Sequence, residues 1–212
     1  MAAIMGATYP DLYAAVGVHS GLAPGSANDL SSAFIAMRQG GPLVAHGDVP
    51  GGGDTQILPT IFFHGDGDTT VHPRNGDRLL AHLSGGREGS SLRVSTRRGR
   101  VQGGYEYTRF TCRDADGRDL VERWSVHGLG HAWSGGSYPG SYTDSRGPDA
   151  SAEMVRFFEQ HHKRQRDKDG DPPAPETCST AGFRAWREAR RSGLRLEPGS
   201  GVAHLRLAGH LR

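Results

Sequence analysis

Pro59-Thr-Ile-Phe-Phe-His-Gly-Asp-Gly-Asp-Thr-Thr-Val-His-Pro73 is the stretch on which the fold turns. Its first six residues are β-branched and aromatic, which suits a strand buried on both faces. Gly65-Asp-Gly-Asp68 then forces a tight loop, and the spacing predicts a helix from Asn75 to Leu83, stopped by Gly85-Gly86. Strand, loop and helix in that order make a unit of a parallel sheet. Tyr13 to His19 is a second apolar run, ending at Ser20-Gly21, and reads as another parallel strand. Before it, Met1 to Tyr9 reads as a helix with no capping residue ahead of it. Between the two strands, Asp29 to Gln39 reads as a helix whose cap comes from Asn28-Asp29. Downstream, Leu92 to Thr96, Tyr105 to Arg113 and Leu120 to His127 alternate apolar and polar residues, as antiparallel strands do, with Asp114-Ala-Asp-Gly117 as the hairpin turn. Ser151 to His162 is an amphipathic helix, with Ser151 as its expected cap and Met154, Val155, Phe157 and Phe158 as its expected apolar face. The class is therefore α/β: mostly parallel strands with flanking helices, plus a β-hairpin insertion.

The composition divides the chain. Residues 1–162 hold 14 Lys/Arg against 17 Asp/Glu, a net −3, whereas residues 163–212 hold 11 against 6, a net +5. We read 1–162 as a partial α/β domain and 163–212 as a basic, Pro/Gly/Arg-rich tail expected to be disordered. A mildly acidic body argues against nucleic acid as a partner. No apolar run is long enough to cross a membrane, and Met1-Ala-Ala-Ile-Met5 has no basic segment of a signal peptide. The two cysteines, Cys112 and Cys178, leave their pairing open. Asp167-Lys-Asp-Gly-Asp171 imitates a calcium loop, but Pro172 stands where such a loop needs Gly.

Two loops follow strands and end in residues fit for acid–base chemistry. One runs from Phe63 to Val71 and carries Asp66 and Asp68. The other runs from Val126 to Trp133 and carries His127 and His131. A sheet that delivers a nucleophile, an acid and a histidine in chain order is the α/β-hydrolase arrangement. There the histidine moves a proton to and from a hydroxyl, and the carboxylate fixes its tautomer and stabilises the imidazolium. Spacing alone leaves Asp66 and Asp68 both open as the acid. His127 reads as structural, and Trp133 reads equally as an acyl-pocket wall or as packing. His64, Asp66, Asp68 and His72 match no metal-ligand spacing, so no metal or other cofactor is expected. The nucleophile should be Ser in G-x-S-x-G, yet no serine has Gly at both −2 and +2. Ser20 has Val18 and Leu22 there, and Ser134 has Ala132 and Gly136.

Several long motifs carry a resemblance in their order. Met1-Ala-Ala-Ile-Met-Gly-Ala-Thr-Tyr-Pro10 through Val18-His-Ser-Gly21 is similar to the segment following the nucleophile in polyhydroxybutyrate depolymerase-like esterases, the feruloyl- and acetyl-xylan-type relatives included. His64-Gly-Asp-Gly-Asp-Thr-Thr-Val-His-Pro-Arg-Asn75 resembles their acid loop. Trp124-Ser-Val-His-Gly-Leu-Gly-His-Ala-Trp-Ser-Gly-Gly136 resembles their histidine loop, and Gly140 to Ala150 with the helix after it also matches. The resemblance covers about residues 1–162. It implies the C-terminal part of an α/β-hydrolase sheet, hydrolysis of short polyesters or acyl and feruloyl esters, and secretion. It makes Asp68 the acid and His131 the base, with Trp133 and Ser20 as substrate-binding residues. The family's serine motif and oxyanion loop have no counterpart here, and the expected place of the serine is immediately before Met1. The alternative reading is a catalytically inactive fragment or the product of a truncated gene. A weaker one is a binding module that uses the basic tail.

Overall fold

The computed structural model describes residues 1–44, 58–84 and 92–162. The expected disorder of the tail from 163 onward, and Cys178 with it, lie outside the described residues. In chain order the elements are α1 (Ala2–Thr8), β1 (Val16–His19), α2 (Leu30–Gln39), β2 (Thr60–Gly65), α3 (Arg74–Leu83), β3 (Arg93–Arg100), β4 (Glu106–Arg113), β5 (Asp119–Val126), β6 (Trp133–Ser134), β7 (Thr143–Asp144) and α4 (Ala150–Glu159).

Five strands form one sheet in the order β1-β2-β5-β4-β3. β1, β2 and β5 run parallel, and β4 and β3 join antiparallel to them. This is the expected α/β sheet with its hairpin insertion. β2 lies between β1 and β5 and is buried along its whole length, as its apolar sequence requires. Its side chains alternate between two cores. Phe62 packs with Val16, Val18, Leu79, Leu80 and Val121 beneath α1 and α3. Ile61 and Phe63 pack with Trp124, Val126, Met154 and Phe157 beneath α4. Gly17 lets α4 lie close across β1, because a Cβ there would come within 2.8 Å of the Phe158 ring. At the far edge, β3 presents Arg93, Arg97, Arg98 and Arg100, a row of charges that discourages edge-to-edge pairing.

Local chemistry explains most boundaries. Asp29 caps α2 by accepting from the Ser32 N–H while the Ser32 hydroxyl reaches back to the Asp29 N–H. The β4–β5 turn closes on Asp114, which accepts from the Arg118 backbone and side chain, and Gly117 takes the positive φ of 85°. Five expectations need correction. β1 starts at Val16 rather than Tyr13, and β3 runs on to Arg100 rather than stopping at Thr96. Residues after the histidine loop form the short parallel pair β6–β7. α4 is capped by Asp149, which accepts from the Ala152 N–H, and not by Ser151. Its buried face is Ala150, Met154 and Phe157, while Val155 and Phe158 lie on the exposed side. Four apolar residues within the five positions 154–158 cannot all face one way at 100° per residue.

β5 carries opposite charges on its two faces. Glu122, fully buried beneath α4, accepts from Arg109 on β4, Arg156 on α4 and the Trp124 indole, each at 2.6 Å. Arg123 points to the other face, where it donates to Asp77 of α3 at 2.8 Å and lies over the Phe62 ring. Each charge thus ties a covering helix to the sheet. Removing the carboxylate strands two guanidinium groups and an indole N–H without their acceptor. Glu122→Ala is therefore expected to lower unfolding free energy by about 3–5 kcal/mol, read from urea denaturation followed by tryptophan fluorescence.

Candidate active site

Because β1, β2 and β5 are parallel, the segments that follow them leave the sheet at one edge. These are Ser20-Gly21 after β1, the acid loop 66–71 after β2, and the histidine loop 127–132 after β5. The last two cross in direct backbone contact. A Cβ on Gly65 would sit 2.1 Å from the Leu129 carbonyl oxygen, so only glycine permits the approach. The Asp66 N–H donates to Val126 O at 3.0 Å and the Gly67 N–H to Leu129 O at 3.1 Å.

Asp68 lies just beyond this crossing and is buried. Its Oδ1 accepts from the Thr70 and Val71 N–H groups at 2.9 and 2.8 Å. Its Oδ2 accepts from His131 Nδ1 at 2.8 Å, across 63 residues of chain. With Nδ1 donating to the carboxylate, Nε2 of His131 is the basic nitrogen. It has no hydrogen-bond partner among the described residues, and the side chain is 37% exposed. A buried acceptor, an oriented imidazole and an accessible Nε2 are the features that a general base requires.

Asp66, the other carboxylate in the loop, turns the opposite way. It accepts from His127 Nδ1 at 2.8 Å and from the Gly128 N–H at 2.6 Å, and His127 Nε2 meets the Thr108 hydroxyl at 2.9 Å. Both nitrogens of His127 are thus engaged. His64 donates from Nε2 to Val71 O at 2.8 Å, closing the acid loop from behind, and His72 Nδ1 accepts from the Arg74 N–H. Of His64, Asp66, Asp68 and His72 only His64 and Asp68 approach each other, with Nε2 3.6 Å from Oδ2, and among the described residues no three His, Cys, Asp or Glu are grouped to hold a metal ion.

The other two anticipated residues border the site. Trp133 is about one-third exposed, stacks on His19 with ring centroids 4.8 Å apart, and donates from its indole to the Ser151 hydroxyl. Ser20 is buried in the left-handed region, at φ 48°, with its N–H bonded to Phe63 O. Its hydroxyl meets His19 Nδ1 at 3.2 Å, and it makes no hydrogen bond to Asp68 or His131. His19 is the residue that sequence reasoning passed over as the end of a strand. Its Nε2 accepts from the Ser134 N–H at 3.0 Å, and its ring lies between Phe63 and Trp133. Burial, helped by the nearby His64 and His131, lowers its pKa to about 4 against the opposing pull of Asp68. Burial also lowers that of His64. The one signal in the sequence was position: a polar ring at the carboxyl end of an apolar parallel strand.

Residues 1–97 match the family model described as Esterase PHB depolymerase. Over that stretch the resemblance read from the motifs is borne out, and it covers the acid loop but ends before the histidine loop. Acetyl xylan esterase from Aspergillus awamori is a similar solved structure, at 20% identity and a TM-score of 0.49 over 76% of this chain and 55% of that one. The chain thus spans about half the length of that enzyme. No curated protein matches the chain. No helix among the described residues is long and apolar enough to cross a membrane.

Folded His19 binds a proton less readily than unfolded His19, whose pKa is near 6.5. Acid therefore favours the unfolded state. Stability is expected to be complete above pH 6.5 and to fall as pH drops towards 4, by up to about 3 kcal/mol from this residue, with His64 adding in the same direction. Urea midpoints measured at pH 7, 5.5 and 4.5 check this, and the slope should flatten in His19→Gln.

Proposed function

We propose that this chain carries the acid and the base of a serine carboxylic-ester hydrolase of the polyhydroxybutyrate depolymerase-like type. Asp68 serves as acid and His131 as base. The observation that carries the reading is the 2.8 Å bond from His131 Nδ1 to a buried carboxylate already held by two backbone N–H groups. In the reaction a serine hydroxyl gives its proton to His131 Nε2 as its oxygen attacks the ester carbonyl. His131 returns the proton to the departing alcohol, and water then releases the acid from the acyl-enzyme by the same relay. Asp68 keeps the proton on Nδ1 throughout and stabilises the imidazolium. Trp133 borders the acyl group and Ser20 the site floor. The substrate class is a short polyester or an acyl or feruloyl ester, and secretion fits such a substrate.

The nucleophile of this reading is a Gly-x-Ser-x-Gly serine preceding α1. That motif is absent from the 212 residues, and the second reading is a polypeptide with no esterase activity of its own. Both are tested with p-nitrophenyl butyrate. The 212-residue chain alone is expected to match the buffer rate. The same chain extended before Met1 by a strand and a Gly-x-Ser-x-Gly turn is expected to turn over, and to lose about 10⁴-fold in kcat on Asp68→Asn and on the order of 10⁶-fold on His131→Ala. Activity of the unextended chain that vanishes with Ser20→Ala would overturn the assignment of the nucleophile. Activity of the extended chain that is indifferent to Asp68 and His131 would overturn that of the acid and base. A folded but inert extended chain would favour the second reading.

A further inference from the structure

The histidine loop is anchored at two places, with His131 between them. At its start, Gly128 and Leu129 are bound to the acid loop through Asp66 Oδ1 and the Gly67 N–H. At its end, the Ser134 N–H is bound to His19 Nε2 across 115 residues of chain. The other bonds at that end, Trp133 N–H to Tyr142 O, Gly135 N–H to Asp144 O, the Ser134 hydroxyl to Pro148 O and the Trp133 indole to the Ser151 hydroxyl, reach residues that follow the loop in the chain. His19 therefore ties the end of the loop to the parallel sheet.

The geometry also fixes the chemical state of the ring. Nε2 faces an N–H donor at 3.0 Å and must be an acceptor. The ring proton then belongs to Nδ1, where the Ser20 hydroxyl oxygen accepts it at 3.2 Å. A second proton on Nε2 would set two N–H donors face to face. It would also place a cation in a stack with Phe63, at 5.8 Å and 5° between planes, and Trp133. The titratable groups around it are His64 on β2, His131 on the histidine loop and Asp68 on the acid loop, and two of these three are themselves basic.

We propose that His19 is a positioning residue of the Asp68–His131 pair: as an acceptor for the Ser134 N–H, it pins the histidine loop to β1 and holds His131 against the acid loop. The proposal rests on the reading of Asp68 and His131 as acid and base. It adds that the pair is set by a third ring that touches neither substrate nor reacting atoms. By donating to the Ser20 hydroxyl, the same ring fixes the left-handed corner at the end of β1.

Two substitutions separate the hydrogen bond from the stacking. His19→Phe keeps an aromatic ring between Phe63 and Trp133 but offers no acceptor. His19→Gln loses the stack but keeps an amide oxygen within reach of the Ser134 N–H. In the full 212-residue chain, NMR reads two signals: exchange of the Ser134 amide proton, and the low-field proton of His131 Nδ1. In His19→Phe, Ser134 exchange is expected to rise about tenfold, as for one hydrogen bond lost, and the His131 proton to broaden into solvent. His19→Gln is expected to restore both. Wild-type signals in a folded His19→Phe, or loss of both in His19→Gln with retention in His19→Phe, would overturn the proposal. If His19→Phe does not fold, the wild type decides. Its His19 must show the Nδ1–H tautomer and stay neutral to about pH 4, and an Nε2–H tautomer would overturn the assignment. Asp68→Asn tests the underlying pair separately. If the His131 low-field proton survives that change, the acid–base reading fails whatever His19 does.

Discussion

Everything at the candidate site depends on the place where the acid loop passes the histidine loop with no side chain between them. Gly65 lies so close to Leu129 that a methyl group would overlap its carbonyl. Two backbone hydrogen bonds, Asp66 N–H to Val126 O and Gly67 N–H to Leu129 O, hold the crossing. The first continues the β2–β5 register one step past the Gly65–Val126 pair, and the second steps out of that register to bind the histidine loop. The sheet thus delivers both loops along one line. Asp68 and His131 need no long side-chain reach to meet, because the backbone has brought them to hydrogen-bond distance. The site is therefore built on the ends of two paired strands, at the point where their loops cross.

The elements built by local pattern were legible in the sequence. The strand at 60–65, the helices at 30–39 and 74–83 and the turn at 114–117 follow from β-branched runs, an Asp29 cap and an Asp–Gly turn, all short-range causes. The errors fell where long-range contacts decide. Asp149 took the cap of α4 because Ser151 is engaged by the Trp133 indole, a partner 18 residues away. β3 reached Arg100 because all eight of its residues find partners on β4, though its own alternation fades after Thr96. β1 is short because only Val16 to His19 align with β2.

The candidate site was legible to a different degree. Chain order and glycine spacing located both loops, but spacing alone left Asp66 and Asp68 as rival acids. Their separation is a matter of direction at the strand end: Asp68 turns inward to Val71 and His131, and Asp66 turns outward to Gly128 and His127. His19 was not legible, because its meaning lies in Ser134, more than a hundred residues on. A histidine that acts by accepting one backbone N–H leaves no spacing to find.

The structure therefore contains two Asp–His pairs of the same length, 2.8 Å each, and they differ in every property that matters for proton transfer. In the Asp66–His127 pair the carboxylate is half open to water and the second ring nitrogen is taken by the Thr108 hydroxyl. Solvent weakens the charge interaction there, and no lone pair is left for a substrate proton. In the Asp68–His131 pair the carboxylate is withdrawn from water and bound by two backbone N–H groups, and His131 Nε2 is open. A charge interaction is stronger away from water than in it. The distance between acid and histidine does not distinguish the two pairs. What lies on the far side of each group does, and it is on that ground that the proposed function rests on the inner pair.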